Sequence, residues 1–348
     1  MAISLNYLFK RFLLAFCVVV GVIVFSYVLV LASPGDPAVK WAGRPRGPGA
    51  ERAIELARRE LGLDKPVYVQ VVLFIYNFFT GNLGYSIAYK GQPVVSLVIT
   101  HFMSTLELTI LSYLISVPIA LYLGLHSALK RGGYFDNLVQ STSVLLASTP
   151  TYWLATLLLL TALLISMNTG VFIPMYGTVS PRLEIETGFK VITGSYLLDS
   201  ILQCNIPVFV DALLRMILPA IAISAYPIGA LTRLTRILVA ESLLEDYVKT
   251  MVALGVRRDI VIRRFVLRSV IPPLVQVTGL SFTYSLIDAM VVESIFGRKG
   301  LGDLLISALY SADFKIAVTL LAFLAIFYVI VNTLVDILQA LIDPRVRL

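Results

Sequence analysis

Six long apolar runs organise the chain: residues 12–32, 102–125, 138–167, 216–232, 270–296 and 316–335. Crossing the hydrocarbon of a bilayer takes about 20 residues, because each adds ~1.5 Å of helix against a thickness of ~30 Å. Each run therefore predicts a membrane-spanning helix. Glu107 interrupts the second, and Asp288 and Glu293 interrupt the fifth. A seventh run, 67–79, has only 13 residues and predicts a segment lying at the interface. The first run is followed by "ASPGDPA", a poor cleavage site, which predicts an uncleaved first helix.

Beyond the fourth run, polar residues return with a different period. Leu243, Leu244, Tyr247, Val248, Met251 and Val252 recur at three- and four-residue spacing, with Glu241, Glu245, Asp246 and Lys249 between them. This spacing predicts an amphipathic helix over 240–254, stopped by Gly255. A second helix is predicted over 257–270, ending before Pro272 and Pro273. Arg233, Arg236, Arg257, Arg258, Arg263, Arg264 and Arg268 crowd into the same segment. Two fates suit it: two helices resting on anionic lipid, or an apolar ridge docked in a groove of another protein. In the first loop, "ERAIELARRELGLDKP" predicts a short surface helix stopped by Gly62 and Pro66.

Composition agrees with a chain solvated by lipid. Its 348 residues are 58% hydrophobic and 14% charged, with a mean hydropathy of +0.88. The fold class is all-α and polytopic, one membrane domain over 1–348 with no linker or repeat. An even number of spans puts both termini on one side. Lys and Arg divide equally, fourteen to each side, but one side's segments are about half as long in total. Their higher basic density makes the N- and C-termini cytoplasmic. Loops 33–101 and 168–215 are then external, and 233–269 is a cytoplasmic loop. The net charge of +7 fits anionic lipid and calls for no nucleic acid.

Polar residues inside the spans are candidates for a path. Thr278, Ser281, Ser285 and Asp288 form one stripe on the fifth span, and Thr105, Thr109, Ser112 and Ser116 another on the second. For Ser and Thr, contact between helices is the commoner use. Asp288 is different, since an acid at bilayer depth either faces water or is paired, here to Arg215 or Arg233. Glu293 suits a salt bridge or a cap. Pro118, Pro150, Pro219 and Pro227 predict kinks. His101 and His126 sit at opposite ends of one span, and Cys17 and Cys204 have no ligand spacing, so no metal site and no disulfide is expected. No G-x-x-x-x-G-K-[ST] loop occurs, so the chain has no Walker A cradle for ATP. An intramembrane enzyme lacks its nucleophile, acid pair or metal cluster. A secondary transporter or channel using Asp288 and Glu293 remains an alternative.

"DYVKTMVALGVRRDIVIRRFVLRSVIPP" resembles the EAA coupling loop of ABC importer permeases of the dipeptide, oligopeptide and nickel type. "PGDPA", "LGLDKPVYVQ", "GNLGYS", "STLEL", "LPAIAI", "RLTRIL", "VVESIFGRKGLGDLL" and "DPRVR" follow the same family in order. The resemblance implies a type I ABC importer permease in a prokaryotic cell membrane, forming half of a translocation path for peptides or oligosaccharides. It implies a homologous second permease, two cytoplasmic ABC ATPases that carry ATP and Mg, and an external solute-binding protein. The chain itself would bind no cofactor. Glu245, Asp246, Tyr247, Lys249, Thr250, Gly255, Arg268 and Pro272 fall on the family's ATPase-coupling positions, with 245–254 the coupling helix. Met251, Leu254 and Ser269 depart from the family's usual Ala, Lys and Asn. Arg298-Lys299-Gly300 replaces its Trp-Pro-Gly and predicts a more basic external turn. Asp288 stands where the family often has Gly, and there an acid suits a substrate amine or a sugar hydroxyl.

Overall fold

The computed structural model describes residues 5–32 and 36–342. "DPRVR" and the first two residues of "PGDPA" lie outside them. In chain order the helices are α1 (Leu5–Ala32), α2 (Pro37–Trp41), α3 (Ala50–Glu60), α4 (Val67–Thr80), α5 (Val94–Leu129), α6 (Tyr134–Ser148), α7 (Thr151–Thr169), α8 (Pro181–Thr187), α9 (Tyr196–Leu202), α10 (Ile206–Ser242), α11 (Asp246–Ala253), α12 (Arg258–Val261), α13 (Leu267–Phe296), α14 (Leu301–Ser311) and α15 (Phe314–Ile342). A π-turn, Ile262–Val266, joins α12 to α13. No strand occurs among the described residues beyond one isolated bridge, Tyr85 with Pro93.

Six helices are long and apolar enough to cross a membrane: Phe9–Ala32, Val94–Leu129, Thr151–Thr169, Ile206–Ser242, Arg258–Phe296 and Phe314–Ile342. The six apolar runs thus identify the spans, with two corrections. Run 138–167 is two helices, because Pro150 has no N–H to donate and forces the preceding residue extended; Thr149 has ψ 124. Pro150 therefore ends a helix where only a kink was expected, whereas Pro118, Pro219 and Pro227 remain inside theirs. Conversely, Pro272 and Pro273 lie within α13 and do not separate two helices. Val270, Pro272 and Leu274 are buried, and α13 packs along α10, so tertiary packing outweighs the local cost of proline.

Contacts group the described residues into two compact units. The first takes residues up to 104, with 192–195 and 299–330. Polar staples order its loops. Asp36 caps α2 by accepting from Ala38 N at 2.8 Å and pairs with Arg58 of α3 at 2.6 Å. Gln70 accepts from the Tyr27 hydroxyl at 3.0 Å and donates to the Lys65 carbonyl at 2.7 Å. Asp313 is fully buried; its Oδ2 accepts from Ser86 Oγ at 2.7 Å, Ile87 N at 2.6 Å and Ala88 N at 3.0 Å, while Oδ1 caps α15 through Ile316 N at 3.2 Å. Three of the short motifs noted in the sequence, around Asp36, Gln70 and Ser86, therefore hold loops in place.

The second unit takes 105–191, 196–298 and residues from 331 on. Helix α10 is its centre, packing against α6, α7, α9 and α13. Leu108, Met216, Ala220, Ile223, Ala289, Val292 and Phe296 form its core. Gly229 allows α6 to approach closely, since a Cβ there would lie 2.4 Å from the Ser143 carbonyl oxygen. Tyr176 and Ser180 are tied to α10: Arg215 donates to the Tyr176 carbonyl and pairs with Asp211 at 2.8 Å, and Asp211 accepts from Ser180 N at 2.7 Å.

Candidate functional site

The helix expected over 240–254 is interrupted. Helix α10 runs on from its apolar stretch through Arg233 and Arg236 to Ser242, a turn covers Leu243–Glu245, and α11 begins at Asp246 behind an extended Glu245, ψ 146. The break sorts the apolar positions into two groups. Val248 is 4% exposed and packs with Val239, Ala240, Val261, Val266, Val270 and Leu274, with Leu243 and Met251 at the margin. Leu244, Val252 and Leu254 are 60%, 54% and 77% exposed. One side of α11 roots it on α10 and α13, and the other leaves a short apolar ridge uncovered.

Hydroxyls reinforce the root. Tyr247 Oη lies 2.7 Å from Ser242 Oγ and 3.4 Å from Ser269 Oγ, and the two serines are 3.0 Å apart. Ser269, one of the departures from the family pattern, thus joins α13 to α11. Asp246 pairs with Lys249 at 2.9 Å, and Thr250 Oγ1 donates to the Asp246 carbonyl at 2.8 Å; these three lie on the exposed flank. Gly255 has φ +78, and Val256 N donates back to the Met251 carbonyl at 3.1 Å. That closing geometry needs a residue at ease in the left-handed region. Beside α11, Glu245, Tyr247, Arg264, Arg268 and Pro272 line a groove of 820 Å³. Of the eight positions expected to couple to an ATPase, Glu245, Tyr247, Arg268 and Pro272 line this one groove.

An ion pair that the sequence did not single out anchors the base of this segment. Asp136, in the first turn of α6, is buried; its carboxylate receives Arg236 Nε at 3.0 Å and Nη2 at 2.8 Å, Ser127 Oγ at 2.5 Å and Gly132 N at 2.9 Å. The Arg236 guanidinium holds the Asp136 carboxyl well below the usual carboxylate range, with Ser127 and Gly132 adding to the effect and burial opposing it. Its signal in the sequence is a lone acid in the short polar loop after Lys130 and Arg131.

The four residues of the expected polar stripe on α13 do not share one surface. Ser281 and Ser285 are buried, and Ser285 Oγ lies 3.0 Å from Tyr113 Oη. Thr278 lines a separate apolar cavity of 340 Å³ with Phe282 and Val335. On α5, Thr109 and Ser112 bond carbonyls of their own helix, and Ser224 Oγ reaches the Ser112 carbonyl at 3.1 Å. Asp288 stands apart, in a 480 Å³ cavity with Ser148, Thr149, Thr151, Tyr152, Tyr226 and Tyr284. Neither expected ion pair forms: Arg215 is held by Asp211, and no cation pairs with Asp288 among the described residues.

The turn after α13 is not a basic surface at Arg298. That side chain is 1% exposed, and its Nη2 lies 3.5 Å from Glu107 Oε1. Glu107 Oε2 also accepts from Leu197 N at 3.0 Å. Burial pushes the Arg298 guanidinium down, and the carboxylates of Glu107 and Glu293 oppose it. Glu107 and Arg298, far apart in sequence, thus form an ion pair here, while the Glu293 backbone carbonyl accepts from Arg298 N at 2.9 Å. His101 and His126 each bond a carbonyl four residues back, at 2.8 Å.

Residues 116–348 match the family described as binding-protein-dependent transport system inner membrane component, and residues 4–109 match the N-terminal family of the same systems. The dipeptide transport system permease protein DppB of Escherichia coli (strain K12) is 32% identical over 343 residues, 99% of each chain. The probable D,D-dipeptide transport system permease protein DdpB of the same organism is 32% identical over 329 residues, 94% of each chain. The di/tripeptide transport system permease protein DppB of Pseudomonas aeruginosa (strain UCBPP-PA14) is 33% identical over 343 residues, 99% of each chain.

Proposed function

We propose, from the premise that this chain belongs to the inner membrane components of binding-protein-dependent transport systems, that it is the permease subunit of an ATP-driven importer of short peptides. It forms half of the translocation path beside a homologous second permease. An external solute-binding protein delivers the peptide, and two ATPase subunits, which carry ATP and Mg, supply the work. The relatives' names favour peptides over oligosaccharides or nickel, and membership of this family does not favour an autonomous secondary carrier.

The observation that carries the coupling role is the two-sided build of α11. A helix of eight residues has too few hydrogen bonds to hold its own shape in water; Val248 and the Tyr247–Ser242–Ser269 hydroxyls fix it to α10 and α13. The uncovered Leu244, Val252 and Leu254 then have the character of a ridge that enters a partner's groove. Motion of that partner is delivered to α10 and α13, two helices of membrane-spanning length. In this arrangement α11 and both termini are cytoplasmic, the whole chain acts as one permease domain, and Glu245, Tyr247, Arg268 and Pro272 shape the docking groove.

The purified chain is expected to hydrolyse no ATP, and reconstitution with the ATPases, second permease and loaded binding protein is expected to give ATP-dependent dipeptide uptake. Sustained turnover by this chain alone, insensitive to removal of contaminating ATPase, contradicts the assignment.

A further inference from the structure

The cavity around Asp288 has a chemical character that its lining makes specific. Its acid comes from α13, within an apolar run, and among the described residues no cation neutralises it. Another part of the lining is the break between α6 and α7. There α6 ends at Ser148, so the last carbonyls of that helix lack partners in the next turn and carry the negative end of its dipole. Ala147, Ser148 and Thr149 all line the cavity. Pro150 makes the break permanent, because it has no N–H to restore the missing bond. The remaining wall is aromatic: Tyr152, Tyr226 and Tyr284. A carboxylate, a helix carboxyl terminus and tyrosine rings each favour a cation, and none of them favours an anion or an uncharged hydroxyl over water.

Hydrocarbon is a poor occupant for such a wall. A carboxylate turned toward lipid is disfavoured, and so are free carbonyls at membrane depth unless they line a cavity. Size excludes little, since 480 Å³ falls within the range of small-molecule sites. Charge and hydrogen bonding are more selective. A primary ammonium brings three donors, which matches the Asp288 carboxylate together with the α6 carbonyls.

We propose that this cavity receives the protonated primary amine of the transported substrate, with Asp288 as its counter-ion. The inference deepens the importer reading and rests on it. A peptide's amino terminus would be held here in passage, through a charged contact weak enough to release.

Chemical control of the charge at position 288 tests this. Cys17 and Cys204 are both free and exposed, so Asp288→Cys is built in a Cys17→Ser, Cys204→Ser background and assembled with its partners in proteoliposomes. The engineered thiol is then modified with a sulfonatoethyl or a trimethylammonioethyl methanethiosulfonate. Because labelling follows assembly, folding cannot distinguish the two products. Dipeptide uptake per assembled complex is expected to be about tenfold higher with the negative adduct than with the positive one, the ratio for one charged hydrogen bond. Equal uptake with both adducts overturns the ammonium assignment. As a second comparison, Asp288→Glu should retain most uptake and Asp288→Asn should lose about tenfold; equal rates in these two also overturn it. Failure of the unsubstituted complex to couple uptake to ATP would instead remove the importer reading, and this inference with it.

Discussion

Asp136→Asn is expected to destabilise the protein by about 3–5 kcal/mol, because removing one partner of a buried ion pair leaves the other charge uncompensated. Asp136 is 3% exposed at its side chain and Arg236 19%, so solvent screens the pair little. The carboxylate also collects Ser127 and Gly132, and these donors would face an amide that is a poorer acceptor. Thermal unfolding in detergent would show the loss. The folded-state carboxyl titrates below its unfolded value, so its stabilisation is fully present above the usual aspartate range near ~4. It fades as pH falls through that range toward the lower folded value. Unfolding curves should therefore diverge between wild type and Asp136→Asn at pH 7 and converge in strong acid. The pair Asp136→Leu with Arg236→Met should recover much of the loss, since a buried pair replaced by apolar groups is often neutral.

Gly255→Val is expected to reduce substrate-stimulated ATP turnover of the assembled complex about tenfold while leaving membrane insertion intact. The φ of +78 is reached by β-branched residues only at a cost above ~1–2 kcal/mol, and ~1.4 kcal/mol is a factor of about ten in the population of the native turn. No atom lies within 4 Å of a Cβ at this position, so the effect is backbone strain and not a clash. Gly255→Asn, which tolerates the left-handed region, should keep most of the coupling. Equal turnover in the Val and Asn variants would show that the turn's shape is unimportant.

Hydropathy made the six spans legible, because the bilayer imposes a minimum length that few other constraints mimic. It was less informative about where helices stop. Lipid-facing composition ends near Thr232, yet backbone bonding carries α10 on to Ser242. Period alone also ran Ala240 into Leu254 as one helix. The break at Leu243–Glu245 arises because Val248 and Tyr247 gain more by turning onto α10 and α13 than by continuing straight. Proline cuts both ways: Pro150 ends α6, whereas Pro272 and Pro273 sit inside α13.

The candidate site was legible in its residues more than in its grouping. Asp288 stood out as an acid in an apolar run, but the three tyrosines around it come from three different helices with no shared sequence period. Ser281 and Ser285 joined Asp288 by helical spacing and are instead buried in helix contacts. Arg298 read as a basic loop residue because its partner Glu107, 191 residues away, cannot be identified as a neighbour from local pattern. Asp136 and Arg236, a hundred residues apart, were invisible for the same reason.

A photo-crosslinker placed at Leu254 in the assembled, transporting complex tests the coupling role of α11. The exposed ridge predicts a covalent adduct between this chain and an ATPase subunit bearing the phosphate-binding loop, with weaker or no adduct from the buried Val248. A complex that imports dipeptide while crosslinkers at Leu244, Val252 and Leu254 all fail to capture that subunit would contradict the account.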